Sequence, residues 1–234
     1  MKRLAIIPAR SGSKGLRDKN IKLLAGIPLV GYTIKAALDS NVFDIVMVST
    51  DSEEYAKIVR TFGAEIPFLR SEVTSRDKST LWDVAQEVVE QYREQGYKFT
   101  SVTLLQPTSP LRDADDIVGA HKLFDDRKAN SIISVCEAEH SPLWSNIIEP
   151  NLSMEHFAET DDVVSCRQQL PKYYRINGAI YIINDKVLSD INNMYHANCY
   201  AYIMEQSHSI DIDSELDFII AEAIINTKLV PIVK

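Results

Sequence analysis

The sequence predicts an α/β fold with a mostly parallel sheet and helices on both of its faces. Short apolar runs that suit buried strands alternate with longer amphipathic segments. Glycine, proline and helix-capping residues separate these segments. The chain has 234 residues, of which 45% are hydrophobic and 25% charged, so it is long enough for one large domain, with or without an insertion. Alternation of this kind joins parallel strands through helices that pack on the sheet.

The first half of the chain supplies most of the predicted elements. Pro28 suits the first turn of a helix, and Gly63 suits the end of another. Thr80 and Asp83 have the spacing of a capping box, which predicts the start of a third helix. The apolar runs between the helices are predicted to be strands. The predicted strands are residues 4–7, 45–49, 66–69, 102–105 and 131–135, and the predicted helices are residues 28–41, 53–62, 80–96 and 114–124.

The alternation stops near residue 140. Residues 140–174 contain Pro142, Pro150 and Pro171 and no clear strand–helix unit, so we interpret them as an insertion from the main sheet. The pattern then resumes, and we expect a single domain over residues 1–234. The last predicted elements are an apolar run at 178–183, an extended segment at 209–213 and an amphipathic helix at 214–227.

Charge and composition argue against several classes of protein. The formal net charge is −8, which disfavours general binding to nucleic acid or to an anionic membrane. No run approaches the ~20 apolar residues of a membrane helix, and the first apolar run is too brief for a signal peptide. Cys136, Cys166 and Cys199 are widely spaced and match no zinc motif. We therefore expect a reduced, cytoplasmic protein.

A basic loop follows the first predicted strand. Residues 10–22 carry five lysines and arginines against one acid, Asp18, in an otherwise acidic chain. Gly12 and Gly15 would let backbone N–H groups approach phosphate oxygens. Ligands of such sheets bind beyond the carboxyl ends of the strands, which is where this loop lies. It matches neither the Walker A nor the dinucleotide pattern. The alternative is a solvated basic turn without a ligand.

Two further motifs could contact a ligand. In the run LLQPTSPLR, residues 104–112, a buried strand leads into a turn bracketed by prolines, where Gln106 could bind the edge of a base or a sugar hydroxyl. A rigid connection without a ligand is the alternative. Arg167 and Arg175 are good clamps for a carboxylate or a phosphate. Surface or intersubunit ion pairing would explain them equally well.

The run Asp211-Ile212-Asp213 could bind a metal ion. If it is extended, both carboxylates point to one face, and two hard oxygen ligands together with phosphate oxygens suit Mg²⁺. The alternative is a helix cap, because Asp213 or Ser214 could begin the last helix and Ser214 has capping-box spacing with Asp217. From the residues alone, the cap is favoured.

Six stretches, in order, cover nearly the whole chain: IPARSGSKGLRDKN, VSTDS, LLQPTSPLR, RQQLP, RINGAIYI and SIDIDSELD. In these the chain resembles the acylneuraminate cytidylyltransferases. The resemblance implies a Rossmann-like fold with an inserted dimerisation arm at residues 138–175, and a homodimer. It implies a reaction that uses CTP and Mg²⁺ to transfer CMP to the anomeric hydroxyl of a nonulosonic acid, with release of pyrophosphate.

The resemblance also implies a role for individual residues, and it reverses the preference for a cap at Asp213. The alternatives are a legionaminic or pseudaminic acid as substrate, a glycosyltransferase with an acidic metal site, and a non-catalytic nucleotide-binding module. The basic loop argues against the glycosyltransferase, because such an enzyme does not need cations to bind a leaving triphosphate tail. The implied catalytic residues are Arg10, Lys14, Lys19, Arg167 and Asp211; the implied substrate-binding residues are Asn20, Arg70, Ser79, Gln106, Gln169, Arg175, Asn177 and Tyr181; the implied metal ligands are Asp211 and Asp213.

Overall fold

The structure is a computed structural model that describes residues 2–12, 15–155, 157, 170–190, 195 and 198–227. Strands and helices alternate through most of this range. The strands are β1 Lys2–Pro8, β2 Leu23–Leu24, β3 Ile27–Pro28, β4 Ile45–Ser49, β5 Phe99–Leu104, β6 Ser131–Glu137, β7 Tyr174–Asn184 and β8 Cys199–Met204. The helices are α1 Leu29–Asp39, α2 Glu53–Arg60, α3 Glu72–Ser75, α4 Leu81–Glu94, α5 Ala114–Arg127 and α6 Glu215–Thr227.

A six-stranded sheet in the order β4-β1-β5-β7-β6-β8 forms the centre of the molecule. β1 runs parallel to β4 and β5, and β6 runs parallel to β8. β7 lies between β5 and β6 and is antiparallel to both. The predicted α/β class with a mainly parallel sheet is therefore confirmed, with one reversed strand at its middle.

Helices cover both faces of the sheet, as predicted, and β1 shows why. Its side chains alternate between two buried clusters, in keeping with the two-residue period of a strand. Ala5 and Ile7 pack with residues of α1 and α5 on one face, and Leu4 and Ile6 pack with residues of α4 on the other. The capping box predicted at Thr80 is present at the start of α4. Within the described ranges, no helix has the length and apolarity needed to cross a membrane.

One predicted strand is absent, the segment predicted to be extended has no strand pairing, and one observed strand was missed. Residues 66–69 do not form a strand, because the only ladder contact near them in the described chain is a single bridge between Met47 and Glu65, and Pro67 follows it. Residues 209–213 have no strand pairing either. The edge strand β8 was missed, although its sequence CYAYIM is a continuous run of six apolar residues.

The predicted arm leaves the sheet between two neighbouring strands. Glu137 of β6 pairs with Tyr174 of β7, and the Ala138 N–H donates to the Tyr173 carbonyl at 2.8 Å, so the base of the arm is a hairpin. The last two residues of the predicted range 138–175 belong to β7. Ile147 and Leu152 on the arm are 88% and 77% exposed. The role of the arm in dimerisation stays a prediction.

Candidate active site

A cleft of about 360 Å³ opens beyond the carboxyl ends of β1 and β5. It lies where a ligand of an open α/β sheet is expected. The structure brings residues from both ends of the chain and from its middle to the walls of this one cleft. The predicted site residues that line it are Arg10, Lys19, Asn20, Arg70, Ser79, Gln106 and Asp213.

The basic loop is held at both of its ends. The Ser11 backbone N–H and hydroxyl donate to the two oxygens of Asp51 at 2.7 and 2.9 Å. The buried Asn20 amide donates to the Arg10 carbonyl at 3.0 Å. A Cβ atom at Gly15 would lie 2.8 Å from the Asp213 carbonyl oxygen. The loop therefore needs glycine there, because its backbone packs directly on the acidic segment.

Lys19 joins the basic loop to the acidic pair. Its Nζ donates to the Ile212 carbonyl at 2.6 Å and lies 3.1 Å from Asp213 Oδ1. The Lys19 side chain is 12% exposed, whereas that of Asp213 is 79% exposed. The cation is thus held inside the protein while the carboxylate remains open to a ligand in the cleft.

The helix cap and the acidic pair coexist. Ser214 and Asp217 exchange hydrogen bonds at the start of α6: the Ser214 N–H and hydroxyl each donate to Asp217 at 2.7 Å. Ile212 is fully buried, and its N–H donates to the Thr108 carbonyl at 2.8 Å. Because the Ser214 side chain makes the cap, the side chains of Asp211 and Asp213 are left for other contacts.

Asp211 has the features of a metal ligand. Burial raises the pKa of its carboxyl above the ordinary value; the Thr108 hydroxyl opposes this rise, the negative charge of Asp213 adds to it, and the cations of Lys19 and Arg175 oppose it. Its Oδ1 is buried and has no hydrogen-bond partner among the described residues. A buried carboxylate oxygen without a partner, beside a second carboxylate, fits a hard divalent cation such as Mg²⁺.

Arg70 and Gln106 are held rigidly in the walls of the cleft. Arg70 donates through Nε and Nη2 to the hydroxyl and carbonyl of Ser49, each at 3.0 Å. Burial lowers the pKa of the Arg70 guanidinium to about 10, so it stays charged at neutral pH. The Gln106 carbonyl accepts a hydrogen bond from Arg112 at 3.4 Å, and a Cβ atom at Gly178 would lie 3.3 Å from its amide nitrogen.

Three of the predicted substrate-binding residues are not among the residues that line this cleft, namely Arg175, Asn177 and Tyr181. Arg175 forms an ion pair with Glu139 at 2.8 Å. Asn177 is 1% exposed; its Oδ1 accepts from the Ser134 hydroxyl at 2.6 Å and its Nδ2 donates to the Ser209 hydroxyl at 2.9 Å, so it joins β6 and β7 to the segment 209–213. Its contact with a substrate stays a prediction.

Tyr181 lies beside the acidic pair. Its ring packs edge-to-face on Trp82 with centroids 5.7 Å apart. Burial raises its pKa to about 12, with further contributions from Tyr195 and Asp211. The charge of Asp211 therefore reaches the Tyr181 ring. The three other predicted residues, Lys14, Arg167 and Gln169, lie outside the described residues.

Several residues of the cleft were missed in the sequence. The polar run 71–80 supplies three of them, and only Ser79 and the capping box of this run were used in the sequence analysis. Asp51, which holds Ser11, lies in the quoted VSTDS stretch but was given no role. The missed residues that line the cleft are Thr74, Arg76, Thr80, Leu81, Val84 and Thr108.

A solved structure has the same fold. The structure of CMP:2-keto-3-deoxy-manno-octonic acid synthetase complexed with CTP superposes with a TM-score of 0.73 and covers 97% of this chain and 100% of that chain. The two sequences are 15% identical, so this likeness concerns the fold alone.

Two curated relatives match in sequence. The N-acylneuraminate cytidylyltransferase of Escherichia coli is 38% identical over 221 residues, which are 93% of this chain and 51% of the relative. The CMP-N,N'-diacetyllegionaminic acid synthase of Legionella pneumophila is 35% identical over 233 residues, 95% of each chain. This chain therefore spans about half the length of the first relative and nearly all of the second. The family described as Cytidylyltransferase matches residues 4–217, and the chain belongs to it.

Proposed function

We propose that this protein transfers CMP from CTP to the anomeric hydroxyl of a nonulosonic acid and releases pyrophosphate. The names of the two relatives and the CTP bound to the neighbouring structure support this choice. The observation that carries the proposal is the contact between Lys19 and Asp213 in one cleft. A loop suited to a triphosphate and an acidic pair suited to a metal ion meet there, at the place where such sheets bind ligands.

The residues of the cleft suit the chemistry of this transfer. A sugar hydroxyl is a weak nucleophile and pyrophosphate is a strongly anionic leaving group, so catalysis depends on positioning and on charge neutralisation. Arg10 and Lys19 would neutralise the leaving phosphates, and we assign the same role to Lys14. Gln106 would bind the base or the sugar. Arg167 would face the reacting groups.

Asp211 and Asp213 would hold one Mg²⁺ ion. The partnerless Oδ1 of Asp211 and the exposed carboxylate of Asp213 support this assignment. When bound, the ion would neutralise phosphate oxygens and lower the pKa of the attacking hydroxyl. The two aspartates would also orient the phosphates relative to the basic loop.

The substrate is tested by offering CTP and Mg²⁺ with a panel of N-acetylneuraminic, legionaminic and pseudaminic acids. We expect pyrophosphate release with at least one of them, and a preference of about tenfold or more in kcat/KM for one acid. A glycosyltransferase would release no pyrophosphate from CTP. A non-catalytic module would bind CTP but show no metal-dependent turnover. Either result would contradict the proposal.

We also propose that the protein is a homodimer joined through its arm. Apolar side chains on the arm are exposed in the single chain, among them Ile147, Leu152 and Met154. Ile176 and Ile203 are also exposed, on strands that flank β6, so the apolar surface continues onto the sheet. Obligate interfaces commonly bury more than about 2,000 Å² and are rich in such residues.

Sedimentation tests the dimer. We expect a dimer at micromolar concentration, and we expect Leu152→Asp to shift the chain toward monomer because it places a charge in the buried interface. Glu149→Asp, a conservative change on the same exposed segment, is the control. A stable monomer with full activity would contradict the dimer.

A further inference from the structure

The acidic pair lies on a segment without strand pairing. Residues 209–213 connect the 3₁₀ turn Gln206–His208 to α6. The Ile212 N–H bond to Thr108 fixes the middle of this segment. A backbone of this kind keeps its shape through contacts with its neighbours, so the residues that hold its ends decide where the two carboxylates lie.

His208 holds the turn before the segment, and the Asn177 amide donates to the hydroxyl of Ser209, its first residue, at 2.9 Å. The Nδ1 of His208 lies 2.7 Å from Oδ2 of Asp116, and the two side chains are 15% and 10% exposed. Asp116 is itself fixed in the first turn of α5, where it forms a capping box with Asp113. The turn before the acidic pair is therefore attached to the end of a helix that packs on the sheet.

The surroundings of His208 favour its charged form. The hydrogen bond that the imidazole donates to Asp116 raises the pKa of the imidazole most; burial opposes this rise, and the charges of Asp116, Asp113 and Glu205 add to it. Burial raises the pKa of the Tyr202 hydroxyl on β8 to about 12, and the charge of Asp116 adds to this rise, so the hydroxyl is neutral.

Arg112 connects this cluster to the cleft. It is 1% exposed, and its Nη1 donates to the carbonyls of Ala179 at 3.1 Å and Gln106 at 3.4 Å. Asp116 and Asp113 favour its charged form against the effect of burial. One buried group of charges thus reaches from the turn at Gln106 to the segment that carries the acidic pair.

A metal ion is the other possible reading of this cluster. Ligand atoms of Asp113, Asp116 and His208 all lie within 4.8 Å of one another. However, the buried cation of Arg112 interacts electrostatically with both carboxylates, and the surroundings of the imidazole raise its pKa. A divalent ion would be repelled by Arg112 and would have to displace the imidazole proton. The arrangement therefore fits a positioning role better than a metal site.

We propose that His208 is a positioning residue for the acidic pair: through its bond to Asp116 it holds the turn before residues 209–213 against α5. Its effect on catalysis rests on the proposed function, but its effect on the segment does not. Because the pKa of His208 is raised on folding, the stabilisation is complete below about pH 6.5 and is lost as the pH rises through the folded pKa.

The test compares His208→Asn with His208→Ala. The Nδ2 atom of asparagine lies at the position of Nδ1, so this variant can donate to Asp116 at every pH. Hydrogen exchange of the free protein is measured by mass spectrometry on peptides that cover residues 209–214 and residues 117–127. We expect His208→Ala to exchange at least about tenfold faster in the first peptide alone, and His208→Asn to stay close to the parent.

Turnover of CTP is measured on the same variants from pH 6 to 9. We expect the activity of the parent to fall at the alkaline end of this range. The activity of the asparagine variant should not fall there, and the alanine variant should be about tenfold slower than the parent at every pH. Asp116→Ala, which removes the acceptor, should behave like the alanine variant at position 208, whereas Asp115→Ala, a matched change on the exposed side of α5, should not.

Two results would overturn the inference: parental exchange at residues 209–214 in His208→Ala, or an asparagine variant as impaired as the alanine variant. A parent protein that does not turn over CTP at any pH would instead refute the proposed function. The exchange experiment would then still decide the positioning role.

Discussion

Asp211→Asn is expected to lower the turnover of CTP by about 10²–10³-fold, the usual loss when one preorganised charged group is removed from a site. The variant keeps the shape of the side chain and its proximity to Thr108, but it removes the carboxylate whose Oδ1 has no partner in the described structure. Pyrophosphate release at saturating Mg²⁺ and CTP measures the effect. Turnover at the parental rate would contradict the assignment of Asp211.

The same variant is expected to be as stable as the parent or more stable. Burial raises the pKa of Asp211, so the folded state prefers the protonated carboxyl. The carboxyl of Asp211 therefore stabilises the fold below its unfolded pKa, and this stabilisation is lost as the pH rises through its folded pKa. At pH 7 the folded protein then contains a buried charge. Asparagine removes that charge. Thermal unfolding at pH 7 should therefore show an equal or higher Tm.

Asp217→Asn is the matched control. It changes a nearby carboxylate whose pKa is lowered in the folded protein, whereas the pKa of Asp211 is raised. Hydrogen bonds from Ser214 lower the pKa of Asp217, so this carboxylate stabilises the fold above its unfolded pKa, and the stability is lost as the pH falls through the folded pKa. The variant should lose about 0.5–2 kcal/mol as a weakened cap and retain most of its turnover. The two variants thus separate stability from catalysis.

The architecture could be predicted because it depends on local pattern. The alternation along β1 and the capping box at Thr80 are properties of a few neighbouring residues, and both are present. The direction of β7 could not be predicted, since it depends on how the chain returns from the arm. Residues 66–69 have strand composition, but the single bridge to the neighbouring β4 lies before them, at Glu65. In both cases the structure depends on which strands pair in the folded protein and not on the intrinsic strand propensity of the residues.

The site could be predicted only where motifs mark it. The basic loop and the acidic pair were found as separate signals in the sequence, and the structure brings them together across 194 residues at Lys19 and Asp213. The bond between His208 and Asp116 spans 92 residues and carries no local pattern, so nothing in the sequence pointed to it. Contacts of this range follow from the topology of the sheet.

Lys19→Met is expected to lower the turnover of CTP by about 10²–10³-fold while it tightens the binding of a divalent ion to the free protein. The ammonium group lies 3.1 Å from Asp213 Oδ1, so it offsets the negative charge that would attract the ion. Methionine has a similar length and no charge. Coulomb repulsion between two cations that share a carboxylate is large in a partly buried site. Mn²⁺ binding without nucleotide, followed by electron paramagnetic resonance, should strengthen about tenfold.

Lys22→Met separates this effect from a general change in charge. Lys22 pairs with Glu215 at 2.8 Å, so the substitution breaks a similar ion pair and removes the same charge close by. It does not involve Asp213, and we expect it to leave Mn²⁺ affinity within about twofold of the parent. Equal tightening in both variants would mean that only the net charge matters. Unchanged Mn²⁺ affinity in Lys19→Met would mean that Asp213 is not a metal ligand. Lower turnover together with tighter Mn²⁺ binding, found in Lys19→Met and not in Lys22→Met, would identify Lys19 as the residue that couples the basic loop to the acidic pair.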